Sequence, residues 1–129
     1  VVMDYRGGEY IYSVLSNDTD VTDIVGTSVY NARMVPQTDT SAETINCYQS
    51  GTYNAAEEFF QATWSIDCRA GTEQESQELA QAVESALNRK SASVGGYLYF
   101  GTISILPTIP PADDADVYNT PVEIIARRR

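Results

Sequence analysis

Asp113, Asp114 and Asp116 form the densest acidic cluster in the chain. Neighbouring carboxylates shift one another's pKa, which is the chemistry needed to gather a divalent cation or to work as paired acids. These three lie in a proline-bounded loop, and neither a histidine nor a second carboxylate cluster completes a site, so they read as a solvated acidic loop. Glu57-Glu58 before Phe59-Phe60 reads the same way. The 129 residues contain no histidine, which removes the commonest general base, the commonest transition-metal ligand and any Ser-His or Cys-His nucleophile pair. Lys90 is the sole lysine, and it ends the strongest predicted helix, where its charge suits the negative end of the helix dipole better than Schiff-base work. Gly7-Gly8 and Gly95-Gly96 lack the lysine, spacing or context of a phosphate loop, and no GxSxG motif occurs. The acids from Asp18 onward fail as a calcium loop, because the sixth position is Asp23 instead of glycine and the twelfth is Val29 instead of glutamate. Cys47 and Cys68 are too few and too far apart for a disulfide scaffold, which points to a reducing compartment. The expectation is a non-enzyme with no catalytic residue, no metal and no cofactor.

The elements that would carry these residues follow from periodicity. Tyr10, Ile11, Val14 and Leu15 fall at helical spacing and predict a helix over roughly 8–17, with Gly7-Gly8 opposing its extension. Asn17 to Gly26 offers N-cap side chains, then Val21, Ile24 and Val25, then a terminating glycine, which predicts a short second helix. Strands are expected over 28–34, ended by Pro36, and over 44–49. Residues 50–58 read as a polar connection. The clearest strand follows, with Ala62, Trp64, Ile66 and Cys68 on one face and Thr63, Ser65, Asp67 and Arg69 on the other. Thr72 with Glu75 makes a capping box for a long helix over 73–90, whose apolar stripe is Leu79, Ala82, Val83, Ala86 and Leu87. Residues 91–96 read as a breaker. Tyr97 to Leu106 then runs ten positions without a charge, so both its faces need cover, within the protein or from a partner. Pro107, Pro110 and Pro111 end it, and a last strand spans Val122 to about Arg127. The fold class is α+β: one domain over 1–129, a mainly antiparallel sheet of about five strands, and the long helix and N-terminal helix packed on one face.

Charge narrows the partners. Eighteen acids oppose eight bases, and Arg127, Arg128 and Arg129 are three of those bases. A body this acidic cannot neutralise phosphates, which argues against a DNA-gripping protein, while its basic tail is placed to dock on an acidic neighbour. Nine tyrosines against three phenylalanines favour subunit contacts, because tyrosine joins a large apolar area to a hydrogen-bonding tip. The candidate contact residues are therefore Tyr97, Tyr99, Asp113, Asp114, Asp116, Arg127, Arg128 and Arg129. No apolar run is long enough to span a bilayer and no signal peptide opens the chain, so a soluble protein is expected, with Met3 as a candidate natural start.

The element order and several local patterns resemble the tail terminator, or tail completion, proteins of long-tailed bacteriophages. The resemblance rests on Tyr10-Ile11-Tyr12-Ser13-Val14-Leu15 with Asp20-Val21 and Ile24-Val25-Gly26, on Val29-Tyr30 with Val35-Pro36-Gln37, on Thr63 to Asp67, and on Leu79-Ala80-Gln81-Ala82-Val83 with Ala86-Leu87. These are hydrophobic patterns spread over most of the chain, and the loop 107–116 departs from them. The resemblance implies a non-enzymatic virion protein, assembled in the host cytoplasm and placed at the head-proximal end of the tail. It implies a hexameric ring that caps the tail tube, ends its polymerisation and offers the head-joining surface. The implied partners are further copies of the chain, the tail tube protein and a head-tail connector or neck protein, with DNA passing through unbound and no membrane involved. A neck or connector subunit is the alternative within assembly. A ligand-binding α+β module, or an enzyme using carboxylates, is the alternative outside it.

Overall fold

The computed structural model describes residues 5–31, 43–55, 60–88, 90–94, 96–111 and 117–128. The chain order is α1 (Tyr5–Ser16), α2 (Thr19–Val25), β1 (Val29–Tyr30), β2 (Thr44–Ala55), β3 (Phe60–Ala70), α3 (Glu73–Leu87), β4 (Ala92–Val94), β5 (Tyr97–Ile105) and β6 (Tyr118–Arg128). The strands form one six-stranded sheet in the order β1-β2-β3-β6-β5-β4. Its pairs are antiparallel except β1 with β2. The fold is the expected α+β, with helices laid on one face of the sheet and one strand more than expected.

Local signals set both ends of α2 and the start of α3 where they were expected. The Asp18 side chain accepts from the Val21 amide at 3.1 Å and caps α2, and Gly26 ends it with φ 60°, a region that side chains with a Cβ avoid. Thr72 Oγ1 accepts from the Glu75 amide at 3.1 Å and caps α3. That helix stops at Leu87, with Asn88 as its cap, and not at the expected position 90, so Lys90 lies beyond its last turn, exposed.

Other boundaries differ from expectation for tertiary reasons. Helix α1 runs through Gly7-Gly8 from Tyr5, and a Cβ at Gly8 would collide with the Asn31 side chain, so the glycine there permits close packing instead of breaking the helix. Strand β2 continues to Ala55 through a bulge between Gln49 and Tyr53, because pairing with β3 carries on to Ala55 opposite Phe60. The stretch 91–96 holds a short strand, β4, that turns back onto β5. Strand β6 begins at Tyr118 and contains Pro121, usually excluded from central strands. The missing N–H costs little there, since β5 has ended and Leu106 N still donates to Pro121 O at 2.9 Å. Of the expected strand 28–34, Val29–Tyr30 is formed, and 32–42 lies outside the described residues.

The core lies between helices and sheet. Leu79, Ala80, Val83, Ala86 and Leu87 of α3 meet Ala62, Trp64, Ile66 and Cys68 of β3 and Val122, Ile124 and Ala126 of β6, and Tyr10, Ile11 and Leu15 of α1 complete it. Alanines at Ala80 and Ala86 let α3 sit close to the sheet. The opposite face of the sheet carries no helix among the described residues, and its side chains, among them Thr63, Ser65, Glu123, Ile125 and Arg127, stay half-buried.

Candidate functional site

Among the described residues are two shallow surface hollows. One, of about 280 Å³, is lined by Tyr12, Ser16, Thr22, Gly26, Thr27 and Val29, and the other, of about 190 Å³, by Gln77, Gln81, Ile105 to Thr108 and Thr120. Neither brings together an acid, a base and a nucleophile. Among the described residues no three His, Cys, Asp or Glu side chains could hold a metal ion. Cys47 and Cys68 are buried free thiols, and burial pushes Cys47 up to about 12 and Cys68 upward also, which makes both inert rather than nucleophilic.

A strand-edge surface is the outstanding feature. Strand β5 pairs with β6 from Tyr99 to Ile105 on one side, while on the other β4 covers it only from Tyr97 to Tyr99. Among the described residues nothing pairs with the outer edge from Phe100 to Ile105. Leu98, Ile105, Leu106 and Ile109 are exposed along and beyond this strand, Ile109 by 53%. The cover that the uncharged run 97–106 requires is therefore incomplete among the described residues.

The individual expectations divide. Tyr99 is fully buried and stacks on Tyr10 with ring centroids 5.7 Å apart, so it fixes β5 to α1 and offers no surface of its own. Tyr97 begins β5, and nothing is described of its side chain. Arg127 is half-buried, and its Nη1 donates to Thr102 Oγ1 at 2.9 Å across the bare face of the sheet. Arg128 is the last residue of β6, while Asp113, Asp114, Asp116 and Arg129 lie outside the described residues, as do Glu57 and Glu58.

Two features escaped the sequence reading. One is an acidic group at the lower end of the sheet: burial, then Glu75 and Glu78, raise the pKa of Glu43 above the usual carboxylate value. The other is a chain of hydroxyls at the same end. Ser76 Oγ donates to Cys68 O at 2.8 Å, so its single proton is used and Thr120 must donate to Ser76 Oγ, also at 2.8 Å. Thr108 then donates to Thr120 at 2.9 Å and Gln77 Nε2 to Thr108 at 3.0 Å. The relay ties α3, β3, β6 and the segment after β5 together, and no local pattern could have shown it because its members are spread along the chain from Cys68 to Thr120.

No protein-family model matches the chain, and no curated protein matches it. A solved structure does: a chain in the virion of a native gene transfer agent particle superposes with a TM-score of 0.62 at 17% sequence identity. The match covers 95% of this chain and 92% of that one, so the two share a fold over nearly their whole lengths.

Proposed function

We propose that the chain is a structural subunit of a phage-like virion, one of a ring, most simply of six copies, that caps the tail tube, ends its polymerisation and presents the head-joining surface. The observation that carries this reading is the end-to-end likeness to a chain in a gene transfer agent virion. The uncovered β5 edge supports it, since a ring subunit must offer its neighbours contacts that a monomer leaves bare. The acidic surface supports it too. Asp20, Asp23, Glu73, Glu75 and Glu78 are exposed on the helical layer, and a bore lined by such residues repels phosphate and lets DNA pass without gripping it. The partners in this reading are further copies of the chain, the tail tube protein and a connector or neck protein.

Deleting the chain from particle-producing cells tests the reading and separates it from the neck alternative. A cap that ends polymerisation leaves overlong tubes when it is lost, whereas a neck subunit leaves tails of normal length that fail to join heads. Particles of normal length and normal joining would remove both readings.

A further inference from the structure

Alternation along β6 divides its side chains between the two faces of the sheet. Val122, Ile124 and Ala126 enter the core, while Glu123, Ile125 and Arg127 stand on the face that carries no helix among the described residues. The register sets a row across the sheet at each of these three: Ser65, Glu123 and Ser104, then Thr63, Ile125 and Thr102, then Gln61, Arg127 and Phe100. Thr102 and Ser104 are exposed, and Thr63, Ser65, Phe100 and the three β6 residues are half-buried, so solvent reaches this part of the face. Further down it closes, since Asn46 and Asp67 are buried.

The charges on the open part are sparse and balanced. On a protein with a formal net charge of -10, these rows hold one acid and one base, placed symmetrically on either side of Ile125. The two do not pair with each other. Arg127 Nη1 donates to Thr102 Oγ1 at 2.9 Å, and the ion pair formed among the described residues joins Arg69 to Asp67 instead. Glu123 is thus a half-buried carboxylate with no hydrogen bond or ion pair among the described residues. It has lost part of its hydration, and a cation from outside would compensate that loss.

Two copies of this face complement each other in one arrangement. When they meet about a two-fold axis that lies between the sheets and crosses the strands over Ile125, Glu123 of each copy stands opposite Arg127 of the other. An axis along the strands would instead set Glu123 on Glu123 and Arg127 on Arg127, so the charges select the crossing axis. The small side chains of Thr63, Ser65, Thr102 and Ser104 let the two sheets approach to the usual spacing of about 10 Å.

We propose that the free chain pairs with a second copy through this face, with β3, β5 and β6 of each copy stacked on the same strands of the other and a Glu123–Arg127 contact on each side of Ile125. The occupant is a second copy because the face is its own charge complement, on a chain whose net charge otherwise drives copies apart. A contact of this isologous kind closes at two copies. It therefore stands apart from the contacts that build a ring and goes beyond the ring reading without depending on it.

Sedimentation equilibrium of the full chain over a concentration series tests the proposal. The wild type is expected to associate reversibly into a dimer. Arg127→Glu leaves only acids facing one another and Glu123→Arg only bases, so each variant alone should dimerise at least about tenfold more weakly. Both positions are partly in water, so the melting temperatures should stay near that of the wild type. Mixed in equal amounts, the two variants should form a heterodimer, because an acidic face then meets a basic one. The double exchange of Glu123→Arg with Arg127→Glu should pair as the wild type does. A wild type that stays monomeric at every concentration overturns the proposal, and so do single variants that dimerise as tightly as the wild type, a mixture that forms no heterodimer, or a larger oligomer that all these exchanges leave unchanged.

Discussion

The ring of Tyr10 on α1 stacks on Tyr99 of β5 with centroids 5.7 Å apart and planes 19° from parallel, and the Tyr10 hydroxyl donates to Lys90 O at 3.0 Å. One residue of the first helix therefore holds both the strand that ends in an open edge and the connection leading into β4. Burial pushes the Tyr10 hydroxyl up to about 12 from 10.0.

The sign of the resulting pH dependence is fixed. The folded pKa lies above the unfolded one, so Tyr10 contributes no loss below pH 10, where both states keep the proton. Above that pH the unfolded state ionises while the folded state resists, and stability falls. The buried thiols of Cys47 and Cys68, also raised, begin the same fall from pH 9. Tyr10→Phe should cost about 0.5–1.5 kcal/mol at neutral pH through the lost hydrogen bond. It should also flatten the decline between pH 10 and 12, as read by urea unfolding across that range.

Thr120→Val should cost about 1–3 kcal/mol, because Thr120 is fully buried and its removal strands Ser76 Oγ and Thr108 within the relay. Thermal unfolding should show a midpoint lower by several degrees. A loss no larger than that of an exposed substitution such as Thr19→Val would show that the relay is not a stabilising network.

Glu43 carries the opposite kind of carboxylate from the usual one. Its raised pKa means that the folded state holds the proton more tightly, so its contribution is fully present below the unfolded value of 4.5 and is lost as pH rises from there through the higher folded value. Glu43→Gln should raise the melting temperature slightly at pH 7, leave it unchanged near pH 4, and do less as salt screens Glu75 and Glu78. Melting curves at two pH values and two salt concentrations check this.

Local and tertiary signals explain which parts of this fold could be read beforehand. Thr72 with Glu75, Asp18 with Val21 and the alternation from Ala62 to Cys68 were legible because each is decided within a few residues of chain. The persistence of α1 through Gly7-Gly8, the length of β2, the strand β4 and the strand conformation at Pro121 were not, since distant partners decide them: Asn31, β3, β5 and Leu106. The uncharged run 97–106 announced that something must cover it. Its uncovered edge depends on strand order, which no local pattern encodes, and Tyr99 joined the core because alternation places it on the helix-bearing face with Tyr10.

Replacing Arg127, Arg128 and Arg129 together with serine should barely change folding, since exposed ion pairs contribute about 0–1 kcal/mol each. The loss of the Arg127–Thr102 hydrogen bond lies within that range. If the tail docks on an acidic neighbour, the triple variant binds tails more weakly at low salt, and the gap from wild type closes as salt rises. Equal binding at low salt removes the docking role and leaves Arg127 with its contact to Thr102 within the sheet.

Image averaging of the head-proximal end of tails, with the chain located by a tag, tests the ring cap most directly. A closed ring is expected at the end of the tube, most simply six-fold, with one copy of this fold per repeat. Tails that end without the tagged chain, or density holding it as isolated copies, would contradict it.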